Sequence, residues 1–358
     1  MPSSSIDTFL ASSVMIVLAL SGMIGTSKLM EPYLNDLANR DSTERFQYFA
    51  SHLLLTTGTP GNWGQLKGTK PTSLGLAKAD ALKPYELDID KITRLNSANI
   101  YRLDYLDLWQ TLGIKDVSFR IEIRTLFEVS VELVSNSTEG SQTVYGFRII
   151  SSKSGAPVPA NLSSYIIVGN FVNRTTALTS SNGIGTVSLG VPNSINGTAL
   201  LLVFAQSTAN PQVVASNTLT FGHNSPNPSP NSTFMRLSPL DYILDVALSS
   251  PSVEILHSQI FTFNYSYNLT ATVQDAQTFE YTIPRLIDKS PKVIVLTGLS
   301  GSTSYAEWVT YPQVPLEIGA NFSESTTGSR IAAQNHIVVT DSALYEVVTM
   351  WGGVNEGV

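Results

Sequence analysis

The sequence predicts an α+β fold that is mostly β, with a long N-terminal helix followed by a β-rich head and a β-sandwich domain. Three observations lead to this prediction. An uncharged run lies near the N-terminus, an alternating apolar pattern follows later, and short apolar runs separated by turn signals fill most of the remainder. The 358 residues suffice for two or three domains.

The N-terminal helix is predicted from the run Thr8 to Ser27, which contains no charged residue. Twenty residues of helix span about 30 Å, the thickness of a bilayer core. A buried core helix would show a polar face, and a secretory signal peptide would begin with Lys or Arg. Neither feature is present, so we predict a transmembrane helix over about 8–27. Apolar residues then recur at three- and four-residue steps, which predicts an amphipathic stem over 28–55.

Alternation in "VSFRIEIRTLFEVSVEL" predicts a long strand or hairpin with one buried face, in which Val117, Phe119, Ile121 and Ile123 point the same way. Beyond it, the runs "SYIIVGNFV" and "TALLLVFAQ" and their neighbours predict an Ig-like β-sandwich. The polar segment "GHNSPNPSPNST" predicts an extended linker. The predicted domains are a helix over 1–55, a β-rich head over 56–135, the Ig-like sandwich over 136–224, a linker over 225–233 and a C-terminal β domain over 234–358.

Two arrangements of the β domains fit these patterns. The Ig-like segment is either inserted, with strands after residue 234 completing the sheet begun at Val117, or the three β parts follow one another in line. The polar joints on both sides of the segment favour insertion slightly, because exposed loop tips tolerate inserted domains.

Composition excludes several classes of function. Charged residues make up 14% of the chain and the net charge is -7, so electrostatic binding of nucleic acid is not expected. The absence of cysteine rules out disulfides, thiolate metal sites and thiol nucleophiles. The four histidines lie far apart in sequence, which disfavours a metal helix. Asp88 and Asp90 resemble the start of a calcium loop, but no glycine and distal glutamate follow at the required positions.

No catalytic constellation is predicted either. Ser300 follows a strand-like run, yet the nucleophile pattern G-x-S-x-G is incomplete because Ser302 occupies the last position. We therefore expect no catalytic residue, no cofactor and no metal, and we predict that the protein is not an enzyme.

The stretch "LLLTTGTPGNWG" has glycines at a spacing of three, but it follows a helix, whereas a dinucleotide loop follows a strand. We interpret it as the joint between stem and head. Gly58 is expected to end the helix, Pro60 and Gly61 to turn the chain, and Trp63 to pack back as an anchor.

Eight Asn-x-Ser/Thr sequons, all after residue 135, are predicted N-glycosylation sites. Their distribution favours a topology in which the C-terminal part lies outside the cell. The eight are Asn136, Asn161, Asn173, Asn196, Asn231, Asn264, Asn268 and Asn321.

The pieces "SSSIDTFLASSVMIVLAL", "LLLTTGTPGNWG", "LDIDKITRLN", "LWQTLGIKDVSFRIEI" and "ALYEVVTMWGG" resemble those of archaeal type IV pilin-like proteins. The resemblance covers roughly residues 3–125, with a weaker match near the end of the sequence, and it implies a short leader removed by a prepilin peptidase. Cleavage would fall between Pro2 and Ser3, and the carboxylate of Asp7 would dock the incoming subunit. The family's leader usually ends in a basic residue followed by Gly or Ala, and this sequence departs from that pattern.

The resemblance implies a noncatalytic structural subunit of the cell surface, anchored in the membrane or packed into a pilus filament by its N-terminal helix. Its β-domains would be extracellular, glycosylated and displayed for adhesion or surface assembly, and its partners would be further copies of itself. The alternative is a membrane-anchored Ig-like binding module that does not polymerise and binds carbohydrate, a surface layer or a partner protein.

Overall fold

The computed structural model describes residues 15, 16, 21, 23, 28, 30, 43–114, 116–275, 277–285, 288–322 and 332–353. The chain divides into two compact units, Met1–Ser51 and His52–Val358. Every described residue of the first unit is helical. The second unit is mostly β, which confirms that part of the predicted fold class.

The predicted long transmembrane helix is wrong for the part of the chain that the structure describes. The continuous helical segments among these residues are short: α1 over the described residues 43–55, α2 (Ile89–Thr93) and α3 (Tyr105–Leu112). No helix among these residues is long and apolar enough to span a membrane. The described residues of the run 8–27, which are Met15, Ile16, Ser21 and Met23, are helical, but they form no continuous described segment of membrane-spanning length. Most of that run lies outside the described residues.

Sheet A joins the first strand of the chain to the last ones. β1 pairs with β20 along its whole length, from Val117 against Gly353 to Thr125 against Tyr345, and with β18 on its other side. The chain therefore leaves sheet A after β1 and returns to it after the intervening strands. The strands of sheet A, in the order β18-β1-β20-β19, are β1 (Val117–Thr125), β18 (Leu316–Gly319), β19 (Ala332–Thr340) and β20 (Ala343–Gly353).

Two sheets form a sandwich over the segment predicted to be Ig-like, and their facing side chains make one apolar core. In sheet B, β3 pairs with β2, β4 and β7, and sheet C has the order β6-β5-β8-β9. The strands of sheet B are β2 (Glu128–Glu139), β3 (Gln142–Lys153), β4 (Ala156–Pro157) and β7 (Ile184–Pro192). Those of sheet C are β5 (Ala160–Val168), β6 (Phe171–Leu178), β8 (Gly197–Ser207) and β9 (Val214–His223).

A second sandwich follows the linker, again with one core between two antiparallel sheets. Sheet D has the order β13-β12-β16-β17 and sheet E the order β10-β11-β15-β14. The strands of sheet D are β12 (Val253–Phe261), β13 (Ser266–Asn268), β16 (Lys292–Ser300) and β17 (Thr303–Tyr311). Those of sheet E are β10 (Met235–Leu240), β11 (Ile243–Leu248), β14 (Ala271–Gln274) and β15 (Thr278–Thr282).

The two sandwiches pack back to back through sheets C and D. In β8, Leu201 and Val203 face sheet B, whereas Leu200, Leu202 and Phe204 join a core with residues of β12, β16 and β17. Strands buried on both faces read as continuous apolar runs, which explains "TALLLVFAQ". The result is a stack of four sheets in the order B, C, D, E.

Candidate functional site

The backbone of the predicted joint packs closely against residues 73–75. Gly58 has φ +70°, and a Cβ there would lie 2.4 Å from the carbonyl oxygen of Ser73, so only glycine fits. Pro60 and Gly61 form the turn after it, in which the N–H of Trp63 donates to the carbonyl of Pro60. The Trp63 side chain is fully buried, and its indole N–H donates to the carbonyl of Gly75 at 3.0 Å.

Gly64 is a constrained position that the sequence reasoning did not single out. A Cβ on Gly64 would lie 2.6 Å from the backbone nitrogen of Lys91. At Gly61 the nearest atom would be 3.6 Å away, so space does not require glycine there. Of the three regularly spaced glycines, Gly58 and Gly64 therefore lie where other backbone atoms approach closely, and Gly61 is an ordinary turn position.

Two buried cations, Lys91 of α2 and Arg94 at its C-terminal cap, bind backbone carbonyls of the joint. Arg94 is 2% exposed and donates to the carbonyls of Trp63, Leu66, Thr69 and Tyr101 at 2.5 to 3.1 Å. The ammonium group of Lys91 donates to the carbonyls of Thr57 and Ala77 at 2.9 and 2.6 Å. Burial lowers the pKa of Lys91 to about 8. Sequence periodicity gives no sign of this role, because the acceptors are backbone atoms.

The aspartates that resembled a calcium loop have structural partners. Oδ1 of Asp88 accepts from the backbone N–H groups of Asp90 and Lys91, as an N-cap does. Oδ1 of Asp90 accepts from the hydroxyl of Tyr311 at 2.6 Å and from the N–H of Asp241 at 2.8 Å. Burial raises the pKa of Asp90 to about 6. Among the residues that the structure describes, no group of three or more acidic or histidine side chains is arranged to hold a metal ion.

A polar cavity of about 220 Å³ lies beside Asp90, and we call it the junction cavity. Two tight hairpin turns reach it: Asp241 and Tyr242 join β10 to β11, and Asp341 and Ser342 join β19 to β20. All four residues have positive φ, as type I′ turns require. The cavity is lined by Gln65, Lys78, Glu86, Leu87, Asp88, Ile89, Asp90, Tyr242, Arg285, Asp341 and Ser342.

Next to the junction cavity, the buried amine of Lys292 forms an ion pair with Asp341. The hydroxyl of Tyr242 donates to the same carboxylate at 3.3 Å, and the ring of Tyr242 lies 5.6 Å from the amine. The guanidinium of Arg285 covers the Tyr242 ring at 4.4 Å. This arrangement joins sheet D to a hairpin of sheet A, and no local sequence pattern predicts it.

A larger groove, of about 700 Å³, lies where β10 and β17 run along neighbouring edges; we call it the Trp308 groove. Its apolar wall includes Met235, Leu237 and Val314, and its polar groups include Asn96 and Gln313. The predicted linker forms one rim. There the side-chain amide of Asn231 donates to the carbonyl of Trp308 and accepts from its N–H, both at 2.9 Å. The sequence reasoning did not single out Trp308.

The remaining predicted residues are distributed as follows. Pro2, Ser3 and Asp7 lie outside the described residues. The three half-buried sequon asparagines are Asn161, Asn173 and Asn231, and the amide of Asn173 donates to the carbonyl of Gly190. The exposed ones are Asn136, Asn196, Asn264, Asn268 and Asn321. Glycosylation of all eight stays a prediction.

Comparison with known proteins assigns no family. No protein-family model matches the sequence. No curated protein matches it either. Among solved structures, red sea bream transglutaminase is similar over 59% of this chain and 34% of its own, with 7% identity and a TM-score of 0.20. Human GIVD cytosolic phospholipase A2 is similar over 68% and 34%, with 8% identity and a TM-score of 0.15.

The chain thus spans about a third of the length of each of these two proteins. At such TM-scores the similarities carry no argument about fold or function.

Proposed function

We propose that this protein is a noncatalytic structural subunit of the cell surface, which displays its β-domains for adhesion or surface assembly. The observation that carries the proposal is the use of its buried charges. Arg94 and Lys91 bind backbone carbonyls, and Asp90 accepts from Tyr311 and a backbone N–H. Glu307, 1% exposed, accepts from the N–H of Phe234. Catalytic charges face a substrate, whereas these charges hold segments of the chain together.

The pilin-like part of the proposal comes from the sequence. The uncharged segment 8–27 would attach the protein to the membrane before assembly, and copies would associate through the N-terminal region, with Asp7 docking each new subunit. The head, the stacked sandwiches and their glycans would then be extracellular. The close packing of the joint leaves no space for a ligand at Gly58 and Gly64. This supports the interpretation of "LLLTTGTPGNWG" as the connection to the head and not as a ligand-binding loop.

The test is immunogold electron microscopy of intact cells that express the full chain, with antibodies against the purified protein. We expect label on the outer surface and along filaments. The Asp7→Ala variant should keep the surface label and lose the filaments. Label that appears only after permeabilisation would overturn the proposal of a surface protein.

The second candidate is a binding module that does not polymerise, and the Trp308 groove favours it. The groove is lined by Trp308, by the amide residues Asn96, Asn231 and Gln313 and by apolar residues, a combination suited to carbohydrate or to a peptide. Surface label without filaments, together with detergent-soluble monomers, would support this candidate. Binding of purified cell-envelope polysaccharide to the wild type, lost in Gln313→Ala and retained in the distant Gln259→Ala variant, would assign the groove.

A further inference from the structure

Lys292 and Asp341 place a buried amine against a partly exposed carboxyl group. Lys292 is the first residue of β16 and is 1% exposed. Asp341 lies in the β19–β20 turn, and its carboxylate contacts the amine directly. The two backbones belong to different sheets, each held by its own antiparallel pairing. The pair is therefore positioned by the fold instead of by two flexible surface side chains.

The two oxygens of Asp341 have different neighbours. Oδ2 contacts the amine of Lys292, and Oδ1 accepts from the hydroxyl of Tyr242 at 3.3 Å. Burial raises the pKa of Tyr242, so that its hydroxyl keeps the proton at neutral pH. The ring of Tyr242 lies 5.6 Å from the amine, and Asp90 lines the same cavity as Asp341. A neutral donor thus points at the oxygen on which negative charge would develop if the amine attacked Cγ.

We propose that Lys292 and Asp341 condense to form an intramolecular isopeptide cross-link. Within the ion pair, one proton passes from the ammonium to the carboxylate, which gives an uncharged amine and a carboxylic acid. The amine nitrogen attacks Cγ, and Tyr242 stabilises the oxygen anion at Oδ1. The bond from Cγ to Oδ2 breaks, Oδ2 leaves as water with two protons from the amine and the acid, and an amide remains. No oxidant, reductant or further reactant is needed.

The reaction removes a buried charge, because it replaces the buried ammonium of Lys292 and the carboxylate of Asp341, which is 28% exposed, by one neutral amide. The cross-link would join sheet D to the hairpin that closes sheet A. The inference does not depend on the proposed function, because the bond forms or fails to form wherever the protein resides.

The experiment is intact-mass spectrometry of the purified full chain. We expect the folded wild type to be lighter than its sequence by one water molecule, and Lys292→Ala and Asp341→Ala to have their full calculated masses. Tandem mass spectrometry of a tryptic digest should find the peptide of Lys292 joined to that of Asp341, with no cleavage after Lys292. A full-mass wild type that is cleaved after Lys292 would overturn the proposal.

The ion pair of Lys67 and Asp245, 3.0 Å apart, is an internal control in the same digest, because its lysine is 39% exposed whereas Lys292 is buried. Its two peptides should be recovered separately. The role of Tyr242 has its own measurement. In Tyr242→Phe, the cross-linked fraction at each time after refolding should fall several-fold below that of the wild type, and equal fractions would remove Tyr242 from the mechanism.

Discussion

Arg94 donates a hydrogen bond to the carbonyl of Trp63 and holds its guanidinium 5.6 Å from the centre of the same residue's indole ring. One cation thus contacts both the backbone and the side chain of Trp63 in the joint. Its remaining donors go to the carbonyls of Leu66, Thr69 and Tyr101. The segment from Trp63 to Thr69 is consequently folded around a charge supplied by the end of α2.

Arg94 should contribute strongly to the stability of the fold. Arg94→Met should lower the free energy of unfolding by at least about 3 kcal/mol, because several buried carbonyls lose a charged donor. Arg102→Met is the matched control, since Arg102 pairs with Asp104 at the surface, and it should cost less than about 1 kcal/mol. Urea denaturation of the two variants measures both values. Equal costs would contradict the assigned role of Arg94.

Asp90 should make stability depend on pH. A carboxyl group whose folded pKa is raised binds its proton more tightly in the folded state, so its stabilising effect is complete at low pH and is lost as pH rises towards the folded pKa of about 6. Asp90→Asn keeps an acceptor for Tyr311 but cannot ionise. We expect the gain in unfolding free energy on substitution to be about 3 kcal/mol larger at about pH 7 than at about pH 3.

Denaturant titrations of both proteins across this pH range measure the difference. A constant difference between Asp90→Asn and the wild type would show that this carboxyl group is not linked to folding.

The close approach at Gly58 predicts a cost beyond that of backbone conformation. Gly58→Ala places a methyl group 2.4 Å from the carbonyl oxygen of Ser73 at positive φ. Gly68 also has positive φ, but nothing lies within 4 Å of its added Cβ. Gly68→Ala should cost roughly 1 kcal/mol and Gly58→Ala clearly more, about 2–4 kcal/mol. Thermal unfolding of the pair separates the steric cost from the conformational one.

The back-to-back stacking predicts that both faces of β8 matter for stability. Leu201→Ala and Leu202→Ala should each cost about 2–5 kcal/mol, because each side chain is completely buried on its own side of sheet C. Leu178, 67% exposed on β6, provides the control, and Leu178→Ala should cost less than about 1 kcal/mol. If Leu202→Ala behaved like the control, sheets C and D would not be packed together in solution.

Local patterns predicted the strands well where one face is buried. Val117, Phe119, Ile121 and Ile123 are all at most 3% exposed, as their alternation indicates. Their pairing partners could not be predicted in the same way. The register of β1 against β20 depends on contacts between residues more than two hundred positions apart, for which a single sequence carries no periodic signal.

For the joint, too, the local structure was predictable and the long-range contacts were not. Glycine and proline indicated a turn after α1, and the buried indole of Trp63 agrees with an anchor. What the indole contacts was not predictable, because Arg94 reaches the joint from another segment and binds carbonyls that every residue carries. Likewise, Asp88 and Asp90 have the spacing of metal ligands, yet their acceptor oxygens are used by backbone N–H groups and a tyrosine.

The pairing of β1 with β20 has a consequence for synthesis of the chain. A ribosome completes β1 while both of its partners are still unmade, so a strand with one apolar face keeps two unpaired edges until nearly all the remaining β structure has been made. The B-to-E stack can assemble during that interval, because its sheets pair strands made within it. Sheet A should therefore be the last sheet to form, and a chaperone that shields β1 would speed folding more than one that binds β8.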